Sequence, residues 1–505
     1  MKKQYYLTTP IFYANGSPHL GHAYTCIISD IIARCMRLLN YDVKFTTGTD
    51  EYGQKIEIAS KKENMSNVDF VDKNSLLFRN LTKKLNISND DFIRTTEDRH
   101  QKAVKHLIEI MWQKKILYLS KYKGWYSIID EAFFKKEEII DGKSPTGSPV
   151  EWIEEESIFF SLSQFQTKLL DFYKKNPNFI TPTNKMLEVI NFVKKGLEDL
   201  SVSRKRVKWG IKMPKTEDHV VYVWLDALIN YLSVLDYPAK EFKDKYWPCN
   251  LHVIGKDILK FHAIYWPAFL MAVNIDLPKK LMVHGWWKKD DSKMSKSLGN
   301  ILDPIKLIEK FGLDYVRYFL AREIQLGNDG NFSEKSFINR VNSELVNKIG
   351  NLFQRTIVLT KKSAKSIIPH FSQEKINNIY QENNPLKDIK YIIEKVEKNI
   401  VDLKYNAILE EIILFTEKVN KYLDNNKPWK ITDNKEISKI LYISLESMRY
   451  IGCLLQPFIP TSSQKILDIL KINKNSRSFL HLNKKFAIES NFIENTEIIF
   501  PRINL

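Results

Sequence analysis

The sequence predicts an α/β fold in which a doubly wound parallel sheet carries a connective insertion and is followed by an all-α bundle. Strand–helix–strand patterns occur near the N-terminus and again after residue 250, and such alternation is typical of a parallel sheet. Aromatic-rich and turn-rich stretches separate the two halves, which predicts the insertion. Beyond Phe332 strand patterns almost vanish and long helical patterns replace them, which predicts the bundle.

In the first half, residues 5–12 are predicted to form a strand, and residues 20–39 a helix because their apolar side chains recur at helical spacing. A second strand is predicted at residues 43–47, ending in the turn GTDEYG, with a further helix from about Gln54. These elements place the end of the first strand beside the start of a helix. Ligands bind at such strand ends in doubly wound sheets.

The elements of the second half and of the bundle are predicted from the same apolar periodicity. Strands are predicted at residues 251–254 and 281–284 around a helix at 258–272, and the bundle helices at 335–361, 403–423 and 437–455. We expect five segments. They are the first half of the sheet domain (1–115), the insertion (116–215), the second half (216–290), a connecting region (291–335) and the helical domain (336–505).

Composition restricts the partners and the compartment. A formal charge of +17 and a pI near 9.3 predict an anionic partner such as nucleic acid, although lysines spread over the whole surface would give the same charge. The four cysteines have no metal-like or disulfide-like spacing, which fits a reducing compartment. No run approaches the ~18 apolar residues of a membrane span. We therefore expect a cytoplasmic protein without membrane contact.

Two short motifs carry candidate chemistry. In PHLGH, His19 and His22 flank Gly21 at a predicted strand-to-helix junction, where free N–H groups and the helix dipole favour phosphate. Taken alone, the pair also fits zinc ligation or ordinary surface polarity. In KMSKS, Lys293 and Lys296 lie on one short loop, which fits either a solvated loop or the charge that grows on a departing pyrophosphate.

The order of these motifs gives the sequence a family resemblance. TTPIFYANGSPHLGHAYT, FTTGTDEYGQKIE, VYVWLDALINY, HVIGKDILKFHAIYWPAFL and HGWW before KMSKSLGN occur in the order found in class I aminoacyl-tRNA synthetases, and the chain resembles the methionyl-tRNA synthetases over essentially its whole length. The resemblance implies a Rossmann-type catalytic domain, a KMSKS loop and stem-contact region at 291–335, and an anticodon-binding domain at 336–505. It implies that L-methionine and Mg-ATP form methionyl-adenylate, from which methionine passes to the 3′ end of tRNA(Met).

The resemblance also implies residue roles. His19, His22, Lys293 and Lys296 would act on the phosphates, while Gly21, Gly255, Asp257 and Lys296 would bind ATP. Methionine would be held by Asp50 at its ammonium group and by the remaining pocket residues, which are Ile11, Tyr13, Trp224, Ala227, Tyr231, Ile258, His262 and Trp266. Leu228, where some relatives have proline, is a departure to which we attach no change of specificity. Asn351, Arg355 and Trp429 would recognise the anticodon, and the lack of a further C-terminal module implies a monomer.

The insertion departs from the zinc-bearing members of that family. Their paired cysteines correspond here to Ser127 and Asp130, then to Ser144 and Gly147, and this set cannot provide a tetrahedral zinc site. We call the segment that contains these four positions the knuckle. We expect it to hold no zinc and no other resident metal, and to be stabilised by apolar packing instead. The packing residues would be Trp125, Tyr126, Phe133, Phe134 and Trp152.

Two alternatives remain at this point. A cysteinyl or leucyl synthetase is the nearest, but the first resembles enzymes with cysteine–histidine zinc ligands and the second needs a large editing insertion. A catalytically silent RNA-binding relative would need neither PHLGH nor KMSKS.

Overall fold

The computed structural model describes residues 2–129, 132–134, 136–216, 218–239, 241–289, 292–293, 302–482, 488–494 and 497–504. The strands are β1 (Gln4–Thr8), β2 (Phe12–Tyr13), β3 (Asp42–Asp50), β4 (Asp91–Arg94), β5 (Leu117–Ser127), β6 (Ala132–Phe134), β7 (Glu151–Phe160), β8 (Ile180–Thr181), β9 (Leu200–Ser201), β10 (Ser203–Arg204), β11 (Val220–Val221), β12 (Leu251–Gly255), β13 (Leu281–His284), β14 (Trp287–Lys289), β15 (Ser292–Lys293) and β16 (Gly330–Phe332).

The helices are α1 (Leu20–Leu38), α2 (Gln54–Lys62), α3 (Asn67–Lys84), α4 (Asp98–Gln113), α5 (Gln166–Lys175), α6 (Thr183–Lys194), α7 (Val223–Leu228), α8 (Asn230–Ser233), α9 (Glu241–Tyr246), α10 (Trp266–Val273), α11 (Pro304–Phe311), α12 (Leu313–Glu323), α13 (Glu334–Val341), α14 (Asn351–Ala364), α15 (Gln373–Ile379), α16 (Ile389–Val401), α17 (Tyr405–Asn426), α18 (Asn434–Leu455) and α19 (Pro460–Ile469). A π-helical stretch, Asn342–Gly350, joins α13 to α14.

The chain divides into two compact units. The sheet unit comprises residues 4–29 and 43–285, and the bundle unit comprises residues 1–3, 30–42 and 286–505. Among the described residues, no helix has the length and apolar character needed to cross a membrane.

The sheet unit is built on a parallel sheet with the order β2-β3-β1-β12-β13-β8, with β4 paired to β3. The β1–β12, β12–β13, β13–β8 and β3–β4 pairs are all parallel. Because β3 lies on one side of β1 and β12 on the other, the strand order reverses at β1, which is the position where such sheets bind ligands. The predicted doubly wound sheet is confirmed.

Local predictions were wrong at two places in this sheet. The strand predicted at residues 5–12 ends at Thr8 and resumes at Phe12, and Pro10 between them has no N–H for a ladder. The strand predicted to end before Gly48 continues to Asp50. A Cβ at Gly48 would lie 2.0 Å from the carbonyl oxygen of Ile93, so this glycine permits the close approach of β4 and does not form a turn.

The helix predicted at 258–272 is irregular at its start. It opens with the 3-10 turn Lys256–Ile258, continues through the π-helical turn Phe261–Tyr265, and becomes α-helical at Trp266. Wide π turns change which side chains share a face, and they occur frequently at functional sites.

The insertion forms a separate antiparallel sheet of order β6-β5-β7-β9, in which β5 and β7 make a long hairpin. In the bundle unit, α17 packs against α16 and α18, and α18 packs against α14 and α19. The predicted helical bundle is confirmed.

Candidate active site

The PHLGH residues lie where β2 gives way to α1, and the two histidine rings stack with centroids 3.7 Å apart. The backbone N–H of His19 donates to Nδ1 of His22, and the N–H of Gly21 donates to Nδ1 of His19, each at 3.1 Å. Because both Nδ1 atoms accept, each neutral ring carries its hydrogen on Nε2. An Nε2–H group is a donor of the kind that phosphate oxygens require.

Gly21 has a steric role inside this motif. A Cβ at this position would lie 2.9 Å from Cε1 of His19, so any side chain would displace that ring. The ring of His22 is supported from behind, since it meets Phe12 and Phe78 edge-on at 4.9 and 5.1 Å. The sequence therefore fixes both rings at the start of α1.

Gly255 and Asp257 lie at the carboxyl end of β12. An ideal Cβ on Gly255 would be 2.6 Å from Oδ1 of Asp257, so the carboxylate occupies the space above the glycine. The same Cβ would be 3.6 Å from Cε1 of His284 at the end of β13. The neighbouring strand ends thus place an acceptor carboxylate and an imidazole together.

His284 and Thr25 are functional candidates that the sequence did not single out. Nδ1 of His284 lies 2.8 Å from the carbonyl oxygen of Gly285, which can only accept, so this nitrogen carries the hydrogen. Burial lowers the pKa of His284, which favours the neutral ring. Its Nε2 then accepts from Thr25 Oγ1 at 2.9 Å, and this bond ties α1 to the end of β13. The two residues are 259 positions apart, so no local pattern predicts the bond.

The predicted methionine pocket has a buried aromatic centre. Nδ1 of His262 lies 3.0 Å from the carbonyl of Ile258 and must donate, so Nε2 accepts from the Tyr231 hydroxyl at 2.7 Å. Burial lowers the pKa of His262 to about 4, and the ring is therefore neutral at pH 7. Trp266 is fully buried with its ring 5.8 Å from that of Tyr231. The centre of the pocket is uncharged.

The outer part of the pocket includes Trp224, which the structure leaves partly exposed. Its ring stacks face to face on Phe261 at 3.7 Å and 6°, a contact that the sequence did not predict. Tyr13 is opposite Asp50 in the β2–β3 register, and Asp50 is buried at the end of β3. Of the remaining predicted residues, Ala227 is buried, while Ile11, Tyr13, Trp224 and Ile258 pack, partly buried, against one core that includes Tyr231 and Trp266.

Support for Tyr231 comes from two further residues that were missed. The ring of His252 lies 4.2 Å from that of Tyr231, and its Nδ1 lies 2.7 Å from Oγ1 of Thr8. Burial lowers the pKa of His252 well below its ordinary value, so this ring is neutral as well. A β12 histidine and a β1 threonine thus hold the wall of the pocket.

The KMSKS motif is only partly covered by the structure. The backbone of Lys293 belongs to β15 and is paired with Lys288 of β14. The side chain of Lys293 and the whole of Lys296 lie outside the described residues. Their roles stay predictions.

Two of the three predicted anticodon residues meet at the surface of the bundle unit. The guanidinium carbon of Arg355 lies 5.5 Å from the ring centre of Trp429, and Arg355 also donates to Asp424 at 2.6 Å. Trp429 is 50% exposed in the turn Pro428–Lys430, so its ring is accessible at the surface and is not part of a core. Asn351 is exposed at the first position of α14, the helix that also carries Arg355.

The insertion contains hydroxyl groups at its predicted knuckle positions. Ser127 is buried, and Ser144 forms a short chain of hydroxyl contacts with Thr146 (2.8 Å) and then Ser148 (3.0 Å). Asp130 lies outside the described residues. Among the residues that are described, no three histidine, cysteine or carboxylate groups come together as metal ligands.

The predicted aromatic packing of the knuckle is found only in part. Trp125 and Trp152 meet edge-on at 5.5 Å across β5 and β7, but Trp152 is 56% exposed. Tyr126 is buried, with the guanidinium carbon of Arg204 5.3 Å from its ring centre. Phe134 is partly buried, and the side chain of Phe133 lies outside the described residues.

Comparison with known proteins places this geometry in a class. The family model for class I tRNA synthetases (M) matches residues 5–149 and 134–357, and the model for the anticodon binding domain of methionyl tRNA ligase matches residues 377–500. Fold, motif order and matches together define a class I tRNA synthetase. Within that class, the chain belongs to the methionyl-tRNA synthetase family.

Individual relatives are similar to this chain over its full length. Methionine–tRNA ligase of Rickettsia felis is 52% identical and that of Brucella suis 42%, and the alignments cover 99% of this chain and 99% and 98% of theirs. The structure of Mycobacterium tuberculosis methionyl-tRNA synthetase in complex with methionyl-adenylate is 41% identical, with a TM-score of 0.93 over 99% of this chain and 100% of that one.

Proposed function

We propose that this chain is a methionine–tRNA ligase that activates L-methionine with ATP and transfers it to tRNA(Met), supplying translation initiation and elongation. The observation that carries the proposal is the placement of two sites on one sheet. The PHLGH rings lie at the start of α1, and the neutral Tyr231–His262–Trp266 pocket lies beyond β12. Two ring N–H donors and an uncharged aromatic pocket at the carboxyl edge of one parallel sheet suit the joining of a nucleotide to an apolar amino acid.

The first step needs positioning more than acid–base chemistry. The methionine carboxylate, already ionised at neutral pH, attacks the α-phosphorus of ATP, and the bond to the bridging oxygen of pyrophosphate breaks. His19 and His22 donate to phosphate oxygens, while Lys293 and Lys296 hold the departing pyrophosphate. Magnesium, when it binds together with ATP, would offset the remaining phosphate charge. In the second step a ribose hydroxyl of tRNA attacks the carbonyl carbon and AMP leaves.

The pocket residues select the substrate. Asp50 pairs with the α-ammonium group beside the backbone of Ile11, and Asp257 accepts from the ribose hydroxyls above Gly255 while Gly21 admits the adenine. The methionine side chain lies among Tyr13, Trp224, Ala227, Tyr231, Ile258, His262 and Trp266. A polarisable thioether makes favourable contacts with aromatic rings, and a neutral His262 avoids placing a charge beside it.

The bundle recognises the tRNA anticodon. Half-exposed Trp429 offers a face for stacking an unpaired base, and Arg355 beside it adds a donor and a positive charge. Asn351 lies one turn away from Arg355 on the same helix and adds amide hydrogen bonds.

The remaining parts of the proposal concern assembly and metals. The enzyme acts as a cytoplasmic monomer whose segments divide at residues 115, 215, 290 and 335. The knuckle holds no zinc, because serine hydroxyls are poor zinc ligands and glycine has no side chain.

ATP–pyrophosphate exchange across a panel of amino acids tests the activity. We expect exchange that depends on methionine and magnesium. Exchange driven best by leucine or cysteine would instead support another class I synthetase, and binding of tRNA without any exchange would support a silent RNA-binding relative.

A further inference from the structure

Three buried polar residues form a continuous chain of hydrogen bonds outside the sites described above. His100 of α4 places Nε2 2.7 Å from Oδ1 of Asp226 and Nδ1 2.8 Å from Oγ of Ser233. All three side chains are at most 1% exposed, so no substrate reaches this serine, histidine and aspartate. The group must therefore act through the elements that it connects.

Those elements carry the methionine pocket. Asp226 belongs to α7 and Ser233 to α8, which follow one another with a single helical residue, Ile229, between them. At about 100° per residue, Trp224, Ala227 and Tyr231 share one face of this helical stretch. Asp226, Asn230 and Ser233 lie on average about 125° round the helix from that face, and we call them the anchor face.

The anchor face is also bonded along its own length. Asn230 donates from Nδ2 to the carbonyl of Ala227 at 2.6 Å, and Ser233 donates from Oγ to the carbonyl of Asn230 at 3.2 Å. Oγ of Ser233 therefore lies within hydrogen-bonding distance of both the Asn230 carbonyl and Nδ1 of His100. These contacts connect Asn230 to α4 through Ser233 and His100.

The bond between His100 and Asp226 joins two ionisable side chains. Nε2 and Oδ1 lie 2.7 Å apart, and both side chains are buried away from water. Burial raises the pKa of Asp226, and the bond with His100 opposes that rise. Removing one partner would leave the other buried without its hydrogen bond, which is more costly than the net value of the bond.

We propose that His100, Asp226 and Ser233 are positioning residues for methionine: they hold the anchor face to α4 and thereby fix Trp224, Ala227 and Tyr231 on the same helical stretch. The inference rests on the proposed function, because it assigns Trp224, Ala227 and Tyr231 to the amino-acid pocket. Of the residues placed at ATP, Gly21, Gly255 and Asp257 lie on α1 and at the end of β12, and Lys296 lies outside the described residues. The anchor therefore acts on methionine and not on the nucleotide.

The test compares Asp226→Asn, Ser233→Ala and Asp98→Asn in the full-length protein. Asp98 is a matched control, since it is an exposed carboxylate two residues before His100 and on the same helix. Equilibrium dialysis with radiolabelled methionine measures binding without catalysis, exchange kinetics give both KM values, and thermal melting reports the fold. Wild-type exchange in the same experiment tests the proposed function separately.

We expect Asp226→Asn to weaken methionine binding about tenfold, as for a lost hydrogen bond to a charged or proton-sharing group, with the KM for ATP changed less than about twofold. Ser233→Ala removes only the hydroxyl at the end of the chain of hydrogen bonds and should fold. It should weaken methionine binding by a smaller factor, and Asp98→Asn should leave methionine binding unchanged. Equal effects on methionine and ATP would overturn the inference, as would a lower melting temperature with both KM values intact. If wild-type protein binds methionine but shows no exchange, the proposed function fails while the binding comparison still decides the anchor.

Discussion

Replacing Gly255 by alanine should weaken ATP binding without unfolding the protein. The new Cβ would lie 2.6 Å from Oδ1 of Asp257, whereas carbon and oxygen atoms in contact are normally about 3.5 Å apart, so the carboxylate must move by about 1 Å. The backbone of Gly255 has φ −72° and ψ 153°, which alanine adopts freely. The clash is with the end of a side chain that can rotate, so the cost falls on the ligand contact and not on the fold.

The size of the effect follows from the contact that is lost. A hydrogen bond to a charged group contributes about 1.5–3 kcal/mol, which corresponds to a rise of about 10–100-fold in the KM for ATP. The KM for methionine should change less than about twofold, since Asp257 is assigned to the ribose. Exchange kinetics at saturating methionine give the KM for ATP, and exchange kinetics at saturating ATP give the KM for methionine.

Asp257→Ala provides the internal check on this prediction. If Gly255→Ala acts only by displacing the carboxylate, the double variant Gly255→Ala/Asp257→Ala has the KM for ATP of Asp257→Ala alone. Additive effects in the double variant, or a wild-type KM for ATP in Gly255→Ala, would refute the assignment of Asp257.

Four further predictions concern other parts of the chain. Trp429→Ala should reduce tRNA charging about 10–100-fold while leaving methionine-dependent exchange nearly intact, because stacking contributes ~1–3 kcal/mol per base; equal losses in both assays would make Trp429 a structural residue. Lys296→Ala should slow activation ~10²–10³-fold in single-turnover measurements, as when one transition-state donor is lost. The pKa of His262 falls to about 4 on folding, so its neutral form contributes stability that is fully present above pH 6.5 and decreases towards pH 4. The melting temperature of His262→Gln should therefore vary less between pH 6.5 and pH 4 than that of the wild type. Elemental analysis should find no zinc, and a chelator with magnesium in excess should leave activity unchanged; about one zinc per chain would contradict the metal-free knuckle.

Local patterns in the sequence predicted the elements that carry the chemistry. The junction at PHLGH, α1 and the end of β12 follow from apolar periodicity and glycine placement, and the structure has them within a few residues. Where the prediction failed, a tertiary contact decided the outcome. Gly48 looks like a turn residue, but it lies within β3 because β4 packs directly against its backbone.

Other residues were missed because their partners are distant in the chain. Thr25 meets His284 across 259 positions, Thr8 meets His252 across 244, and His100 meets Asp226 across 126. A lone buried histidine gives no sequence signal that distinguishes a core position from a supporting one. Trp429, which was predicted to recognise the anticodon, is half exposed beside Arg355, a position that allows such a contact.

The most direct test of the central claim is the formation of methionyl-tRNA by the purified chain. The assay mixes the protein with ATP, magnesium, radiolabelled methionine and a transcript of tRNA(Met), and follows acid-precipitable label. We predict that methionine is esterified to the 3′ end of this transcript and that leucine and cysteine are not. Esterification of another amino acid in preference to methionine, or adenylate formation with no transfer to the transcript, would contradict the account.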